Sequence, residues 1–212
     1  AYDSRKVKSG TLFFCKGNFL PKYLASAKEN GAIAYVAERE YSEGNGIPAI
    51  IVKDEQKAMA LLGAAFYGYP QNDLFIIAIT GTKGKTTTAY FADHILAQST
   101  DKHVALFSTL DRILGNQPED KFKSDLTTPE SLDLFHDMRV AVNNGMTHLV
   151  MEVSSQAYKK NRIYGLKYNV GIFLNISPDH IGRNEHPTFA DYLHCKEQLL
   201  VNSDKCLINA ET

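Results

Sequence analysis

Short apolar blocks alternate along the chain with longer blocks in which apolar residues recur every three or four positions. The short blocks predict buried strands, and the longer ones predict helices with one apolar face. In the first third of the chain, strands are expected at 11–15, 32–37 and 49–52, and helices at 21–28 and 55–67. The second helix carries its apolar face on Ala58, Leu61, Leu62, Ala65 and Phe66. Strands that alternate with helices indicate an α/β unit.

After a short polar connector, Tyr69–Asn72, the same alternation resumes and continues to the end of the chain. The connector is the best candidate for a domain boundary, since Pro and Asn interrupt both kinds of pattern. Strands are expected at 74–79, 103–107, 148–153, 170–175 and 206–209, and helices at 86–98, 129–142 and 189–200. Residues 110–126 are polar and contain Gly115 and Pro118, so we expect a loop or a hairpin there.

A loop with two glycines joins the strand at 74–79 to the helix at 86–98, with the sequence Thr80-Gly81-Thr82-Lys83-Gly84-Lys85-Thr86-Thr87. The N–H groups of such a turn and the N-terminus of the next helix face one point, which favours a bound anion. Lys85 adds a positive charge, and the Thr86 hydroxyl is suited to ligate magnesium. The strict phosphate-binding pattern has a glycine at position 79, where this chain has Ile79. A turn that is merely rich in Gly and Thr is the alternative interpretation.

Composition narrows the class of protein. The 212 residues are 44% hydrophobic and 22% charged, which are ordinary values for a soluble globular chain. The net charge of −1 provides no overall attraction to nucleic acid or to an anionic membrane. The sequence contains neither an apolar run of membrane-spanning length nor a secretory signal. Cys15, Cys195 and Cys206 lack metal-ligand spacing, so we expect reduced thiols and a cytoplasmic location.

Both ends of the sequence suggest a piece of a longer protein. The chain opens on Ala1 without an initiator Met, and it stops just after the apolar run at 206–209. We therefore expect further residues on both sides.

Four further clusters of polar residues stand out, several of them at the carboxyl ends of strands, where open α/β sheets bind ligands. They are Asp3-Ser4-Arg5, Thr127-Thr128-Pro129-Glu130-Ser131, Met151-Glu152-Val153-Ser154-Ser155-Gln156 with Arg162, and Asn175-Ile176-Ser177-Pro178-Asp179-His180 with the later segment Tyr192–Lys196. Glu152 is placed to hold a magnesium ion that bridges ATP phosphates. Ordinary interpretations stay open: Thr-Thr-Pro also begins helices, and many loop histidines and helix lysines are simply solvated.

Taken together, these clusters resemble the Mur ligase family, the ATP-dependent enzymes that form amide bonds in peptidoglycan precursor synthesis. TTPES, MEVSS and N-x-S-x-D-H resemble most closely the members that add the third amino acid of the peptide. GTKGKTT, MEVSSQAY and ISPDHIG resemble the L-lysine-adding type of those members. The resemblance covers nearly the whole chain, and it accounts for Ile79 as the variant that this family has at that position.

The resemblance implies an α/β fold with a small N-terminal Rossmann-like domain, residues 1–72, that binds the UDP-sugar. A P-loop-type ATP-binding domain with a mostly parallel sheet would follow over residues 73–212. It also implies that the extreme N-terminus, the rest of the central domain and a C-terminal domain that binds the amino acid are absent from this chain.

The resemblance further implies roles for individual residues. ATP would be bound by Gly81, Thr82, Lys83, Gly84, Lys85, Thr86 and Thr87. Magnesium would be held by Thr86, Glu152, His180 and Lys196, the last carbamylated by carbon dioxide. Lys85, Glu152, His180 and Lys196 would be the catalytic residues. The substrate UDP-MurNAc-L-Ala-D-Glu would be bound by Ser4, Thr127, Thr128, Ser154 and Arg162.

The implied reaction begins with attack of the D-Glu carboxylate on the γ-phosphate of ATP, and an amino acid then attacks the acyl-phosphate. The nucleophile comes from the substrate, so no Ser-His-Asp arrangement is needed, and none is apparent in the sequence. Without the C-terminal domain, we expect the chain to bind its substrate but not to complete ligation. A related ligase such as folylpolyglutamate synthase and a non-catalytic nucleotide-binding domain remain as alternatives.

Overall fold

A computed structural model of the chain describes residues 1–183 and 185–210. The chain divides into two compact units, Ala1–Leu62 and Gly63–Thr212. The connector at Tyr69–Asn72 contributes to a short 3₁₀ turn, Pro70–Asp73, within the second unit. The described residues contain no helix that is long and apolar enough to cross a membrane.

The first unit is built around a small parallel sheet. Its elements are β1 (Thr11–Phe14), α1 (Pro21–Glu29), β2 (Ala32–Ala37), β3 (Ala49–Ile51) and the start of α2 (Glu55–Phe66). The strands pair in the order β1-β2-β3. Phe13, Leu24, Ala27 and Tyr35 form much of the core, because the apolar blocks of the strands face the apolar side of α1. The α/β unit expected from the sequence is confirmed.

The predicted apolar face of α2 is wrong. Leu61, Leu62 and Phe66 are 52%, 41% and 82% exposed, whereas Met59 and Ala60 are buried. Apolar residues lie all round this helix, so periodicity does not distinguish one face from another. The buried side of the helix instead carries Met59, Ala60 and Ala64.

The second unit contains the longer sheet. Its strands are β4 (Phe75–Thr80), β5 (Val104–Phe107), β6 (Asp111–Ile113), β7 (Lys121–Lys123), β8 (His148–Glu152), β9 (Tyr168–Phe173) and β10 (Ser203–Ile208). Its remaining helices are α3 (Lys85–Ser99), α4 (Ser131–Asn143), α5 (Ser155–Lys159) and α6 (Phe189–Val201). The strands lie in the order β10-β9-β4-β8-β5-β6-β7. Pairing is parallel from β10 to β5 and antiparallel at β6 and β7, which confirms a mostly parallel sheet. Of the two alternatives expected for residues 110–126, a loop or a hairpin, the structure shows the hairpin.

Three details of the second unit differ from expectation. Helix α4 begins at Ser131 rather than at Pro129, and Glu130 precedes it in an extended conformation. Strand β9 ends at Phe173, because the chain beyond it turns toward the loop that follows β4. Helix α5 was not predicted, since five residues are too short to show a helical period.

Register brings the carboxyl ends of three strands together. Ile79 of β4 pairs with Glu152 of β8 on one side and with Ile172 of β9 on the other. Ile79 and Val150 are buried in the apolar core beneath this edge. The residues that follow these strands therefore emerge at one edge of the sheet.

Candidate active site

The glycine loop, residues 81–84, leads from β4 into α3 at this edge. Gly84 precedes the helix with a φ of 84°, a left-handed conformation that glycine adopts without strain. Gly81 packs tightly, since a Cβ atom at this position would lie 3.0 Å from the Cβ atom of Leu174. Both glycines are therefore required by the path of the backbone.

The start of α3 and the glycine loop border a cavity of about 300 Å³. Its lining comprises residues 82–87 with Thr109, Thr127 and Glu152. The first N–H groups of a helix have no partners within the helix, and the helix dipole places positive partial charge there. Lys83 and Thr87 are exposed at this cavity, whereas Thr82 is only 7% exposed. The cavity is therefore suited to an anion.

Lys85 is the first residue of α3, and its ammonium group folds back over the glycine loop. Its Nζ atom donates to the carbonyl oxygens of Gly81 at 2.9 Å and Thr82 at 3.3 Å. Burial lowers the pKa of Lys85, and the nearby Glu152 carboxylate opposes that shift. The structure thus places a poorly hydrated cation at the start of the helix.

Glu152 is fully buried at the end of β8 and accepts three hydrogen bonds. The hydroxyl of Thr86 donates to Oε2 at 3.1 Å, and Thr109 donates through its N–H at 2.8 Å and its hydroxyl at 3.1 Å. A carboxylate and a hydroxyl in contact beside an anion-binding cavity are the oxygen ligands that magnesium prefers. The pair of Thr86 and Glu152 therefore fits a magnesium ion.

Lys196 lies on α6 and is only 2% exposed. Its Nζ atom donates to the carbonyl of Gly81 at 2.7 Å and lies 4.8 Å from the centre of the Tyr192 ring. Burial, reinforced by the positive charge of Lys85, lowers the pKa of Lys196 to about 7. A substantial share of this amine is therefore neutral near neutral pH.

His180 is half exposed, and its backbone adopts the left-handed conformation with a φ of 53°. Its Nδ1 atom lies 3.0 Å from a carboxylate oxygen of Glu185, and its Nε2 atom lies 3.9 Å from Asp179. Among the described residues, the polar partners of this ring are thus Glu185 and Asp179. Within residues 1–183 and 185–210, no hydrogen bond joins His180 to Glu152 or to Lys196.

Thr128 and Ser154 join the segment before α4 to the end of β8. The buried hydroxyl of Thr128 donates to the carbonyl of Glu152 at 3.0 Å and accepts the N–H of Ser154, also at 3.0 Å. Ser154 caps α5 by accepting the N–H of Ala157 at 3.2 Å. Thr128 therefore links the segment before α4 to the end of β8. It does not cap α4, which was the alternative interpretation of Thr-Thr-Pro.

Arg162 and Thr127 complete the predicted substrate group. Arg162 is 8% exposed, donates to the carbonyl of Thr128 at 3.3 Å and pairs with Glu130 at 3.0 Å. Thr127 lines the cavity, and its hydroxyl oxygen lies 3.0 Å from that of Thr109. The structure thus gathers the four substrate candidates of the second unit around Glu152, directly or through one neighbour.

Ser4 belongs to the first unit, in a 3₁₀ turn at Ser4–Lys6. The residue is buried, and its carbonyl accepts the side-chain amide of Asn30 at 3.0 Å. Asp3 caps this turn through the N–H of Arg5. These contacts describe an ordered turn, and the role of Ser4 toward a substrate stays a prediction.

Thr109 is a residue of the site that sequence reasoning missed. Its N–H and hydroxyl both hold Glu152, and the same hydroxyl reaches Thr127. The signal in the sequence was its position two residues after the strand at 103–107, at the carboxyl edge of a sheet, where ligands were already expected to bind.

A Ser-His-Asp arrangement with a buried Ser and His was also missed. His186 lies 2.9 Å from the hydroxyl of Ser155 through Nε2 and 2.6 Å from Asp191 through Nδ1. Lys159 pairs with the same carboxylate at 2.9 Å. Ser155 and His186 are 3% and 0% exposed, so this arrangement offers no accessible nucleophile and instead ties α5 to α6.

Replacing His186 by alanine should lower the free energy of unfolding by about 1–3 kcal/mol, because the buried Ser155 hydroxyl loses its partner. Urea denaturation of the 212-residue chain measures this change. His94→Ala is the control, since His94 is exposed on α3 and should shift the same quantity by about 0.5 kcal/mol or less. Equal effects of the two substitutions would contradict the tie between α5 and α6.

The family model of the Mur ligase middle domain matches residues 79–212 of the chain. The match begins in β4 and includes the glycine loop, Glu152, His180 and Lys196. The chain therefore belongs to the Mur ligase family.

Several relatives share the whole of this sequence but are much longer. A protein named UDP-N-acetylmuramyl-tripeptide synthetase from Limosilactobacillus reuteri is 93% identical over all 212 residues. A protein of the same name from Ligilactobacillus salivarius is 78% identical over 211 residues. In both cases the chain covers 41% of the relative's length.

Solved structures agree with this fold. A UDP-N-acetylmuramoyl-L-alanyl-D-glutamate–2,6-diaminopimelate ligase superposes with a TM-score of 0.80 at 25% identity, over 100% of this chain and 42% of its own. MurF from Acinetobacter baumannii superposes with a TM-score of 0.57 at 23% identity, over 96% of this chain and 40% of its own. The second similarity bears on the fold alone.

Proposed function

We propose that the chain is part of an ATP-dependent ligase that adds L-lysine to the D-Glu of UDP-MurNAc-L-Ala-D-Glu. The observation that carries the proposal is the buried Glu152 carboxylate, 3.1 Å from the Thr86 hydroxyl at the positive start of α3. Relatives named UDP-N-acetylmuramyl-tripeptide synthetase, which match the whole chain, support the class of reaction.

ATP is proposed as a substrate whose phosphates lie at the first turn of α3. Lys85 offsets part of their negative charge, and its low hydration strengthens that attraction. Magnesium would be held by Thr86 and Glu152, and when bound it offsets the charge of two anions brought together.

The reaction itself needs no nucleophile from the protein. The D-Glu carboxylate of the substrate attacks the γ-phosphate of ATP, which forms an acyl-phosphate and releases ADP. The amine of the incoming amino acid then attacks the acyl carbon, and inorganic phosphate leaves as the amide bond forms. The protein therefore contributes positioning and charge neutralisation. The proposed contacts to the substrate in this unit are Thr127, Thr128, Ser154 and Arg162. Thr128 also holds Ser154 in place by accepting its N–H.

Lys196 is proposed to carry a carbamate. Its neutral amine attacks carbon dioxide, a proton passes to solvent, and the side chain becomes a carboxylate-like group, which would hold magnesium together with His180. The burial of Lys196 and its pKa of about 7 support this step, because a fully protonated amine would not react.

The N-terminal part of the chain, which we divide from the rest at residue 72, is proposed to bind the UDP end of the substrate through Ser4. The chain spans 41% of the length of its relatives. We propose that these 212 residues bind the UDP-linked substrate without completing ligation. The unpaired thiols of Cys15, Cys195 and Cys206 support a cytoplasmic location.

Calorimetric titration of the 212-residue chain tests the substrate class. UDP-MurNAc-L-Ala-D-Glu should bind, and a folate should bind more weakly or not at all. Tighter binding of the folate would indicate a ligase of the folylpolyglutamate synthase type. If the chain bound ATP but neither UDP-MurNAc-L-Ala-D-Glu nor the folate, the result would indicate a non-catalytic nucleotide-binding domain. Phosphate release coupled to lysine addition by this chain would contradict the proposed lack of ligation.

The identity of the amino acid needs a separate test, because the solved relative at 25% identity is named for 2,6-diaminopimelate. In a protein extended to the full length of the relatives, L-lysine should be incorporated in preference to 2,6-diaminopimelate. The reverse preference would overturn the lysine assignment and leave the rest of the proposal intact.

A further inference from the structure

The side chain of Asn175 holds the glycine loop by hydrogen bonds from the end of the neighbouring strand. It lies just beyond β9, and its Oδ1 atom accepts the N–H groups of Thr82 and Lys83, both at 3.0 Å. Its Nδ2 atom donates to the carbonyl of Lys83 at 3.1 Å. One amide side chain thus satisfies three backbone groups of the loop, and only one orientation of that amide permits this pattern.

Other contacts of residues 175–177 reinforce these hydrogen bonds. The main-chain carbonyl of Asn175 also accepts the N–H of Thr82 at 3.1 Å. The Thr82 hydroxyl accepts the N–H of Ser177 at 3.0 Å and lies 3.1 Å from the hydroxyl of Tyr192. The backbone of residues 81–83 is therefore fixed from the side of β9 and α6 rather than by contacts within the loop alone.

This arrangement divides the N–H groups near the cavity into two sets. Those of Thr82 and Lys83 are directed at Asn175. The N–H groups of the first turn of α3 have no partners within the helix and stay available for an anion. The hydrogen bonds to Asn175 therefore occupy the N–H groups of the loop, whereas those of the first turn of α3 can bind a ligand.

We propose that Asn175 is a positioning residue for nucleotide binding, which holds residues 81–83 in place so that the first turn of α3 meets the phosphates. The inference rests on the proposed ATP site. Asn175 is assigned no contact with the phosphates; it acts through the loop, whose backbone its side-chain amide holds by three hydrogen bonds.

The chain offers a matched control in Asn169. It lies within the same strand, β9, and its Oδ1 atom accepts the N–H of Ile76 in β4 at 2.7 Å. Asn169 and Asn175 are both half-buried, and both bridge the β9 segment to the β4 segment. Only Asn175 does so at the glycine loop, so alanine at the two positions separates loop positioning from general loss of a hydrogen bond.

The test is calorimetric binding of the magnesium complex of AMP-PNP, a non-hydrolysable ATP analogue, to the 212-residue chain. Asn175→Ala should weaken binding about tenfold or more, and Asn169→Ala should change it about twofold or less, although both lower the melting temperature. Normal binding by Asn175→Ala, or equal weakening by Asn169→Ala, would overturn the inference. Failure of the unsubstituted chain to bind would overturn the proposed ATP site and the inference with it, which is a distinguishable result.

Hydrogen exchange supplies a readout that a general structural role would not move. Asn175→Ala should speed exchange of the Lys83 amide most, because the Thr82 amide keeps the main-chain carbonyl of residue 175 as an acceptor. Asn169→Ala should instead affect the Ile76 amide. Asn175→Asp keeps an acceptor oxygen and should preserve protection of the two loop amides. Unchanged exchange at Thr82 and Lys83 in Asn175→Ala would count against the inference.

Discussion

Lys85→Ala is expected to lower the rate of ATP-dependent ligation by about 10²–10³-fold in a protein extended to the full length of the relatives. Lys85 places a poorly hydrated ammonium group over the glycine loop, 2.9 Å from the carbonyl of Gly81. Loss of this charge removes one of the two lysines, Lys83 and Lys85, that line the cavity proposed for the phosphates. Steady-state kinetics with varied ATP measure the effect on both kcat and KM.

Lys123→Ala is the control for this substitution, because Lys123 is an exposed lysine on β7 in the same unit. It removes the same charge from the chain and should leave the rate within about twofold, since exposed charges are strongly screened. Near-normal turnover of Lys85→Ala would show that the glycine loop is not the site of ATP.

Lys196 should tolerate neither alanine nor arginine in the same full-length protein. Alanine removes the side chain, and arginine keeps a positive charge but forms no carbamate under these conditions. Both substitutions are expected to lower ligation by about 100-fold. Acetate should restore part of the rate to Lys196→Ala by supplying a carboxylate, and it should not restore Lys196→Arg, whose longer side chain fills the space.

The carbamate also predicts a pH dependence. The pKa of Lys196 is about 7, so its neutral fraction rises as pH increases through that value. Uptake of ¹³C-labelled carbon dioxide by the folded chain, followed by NMR, should therefore increase from pH 6 to pH 8. Lys205→Ala, which removes an exposed lysine on β10, should take up the same label. Full activity of Lys196→Arg without bicarbonate would exclude the carbamate.

Most of the fold was predictable from the sequence because its strands are buried in parallel sheets. Such strands are apolar on both faces and appear as continuous apolar blocks, as in β4, β5 and β8. The hairpin of β6 and β7 was only partly predictable, since short exposed strands carry little of that signal. Helix α2 shows the limit of helical periodicity, because an apolar surface all round does not identify its buried face.

Within the candidate site, residues adjacent to recognisable motifs were predictable and bridging residues were not. Lys85 lies just after β4 and Glu152 ends β8, two strands whose ends were expected to meet. Thr109 holds Glu152 across 43 positions of sequence, and Ser155 meets His186 across 31. No local pattern encodes such pairs, because they depend on strand order and on how far each loop extends.

The carbonyl oxygen of Gly81 accepts hydrogen bonds from the Nζ atoms of Lys85 at 2.9 Å and Lys196 at 2.7 Å. Removing the charge of Lys85 should raise the pKa of Lys196 and so reduce the neutral amine available for carbamate formation. In a double-mutant cycle, the effects of alanine at Lys85 and Lys196 on the rate of ligation should therefore not be additive. The activation free energy should rise less in the double variant than the sum of its rises in the two single variants. Nucleotide binding at Lys85 and carbamate formation at Lys196 are then coupled, because both side chains meet at the same backbone carbonyl group.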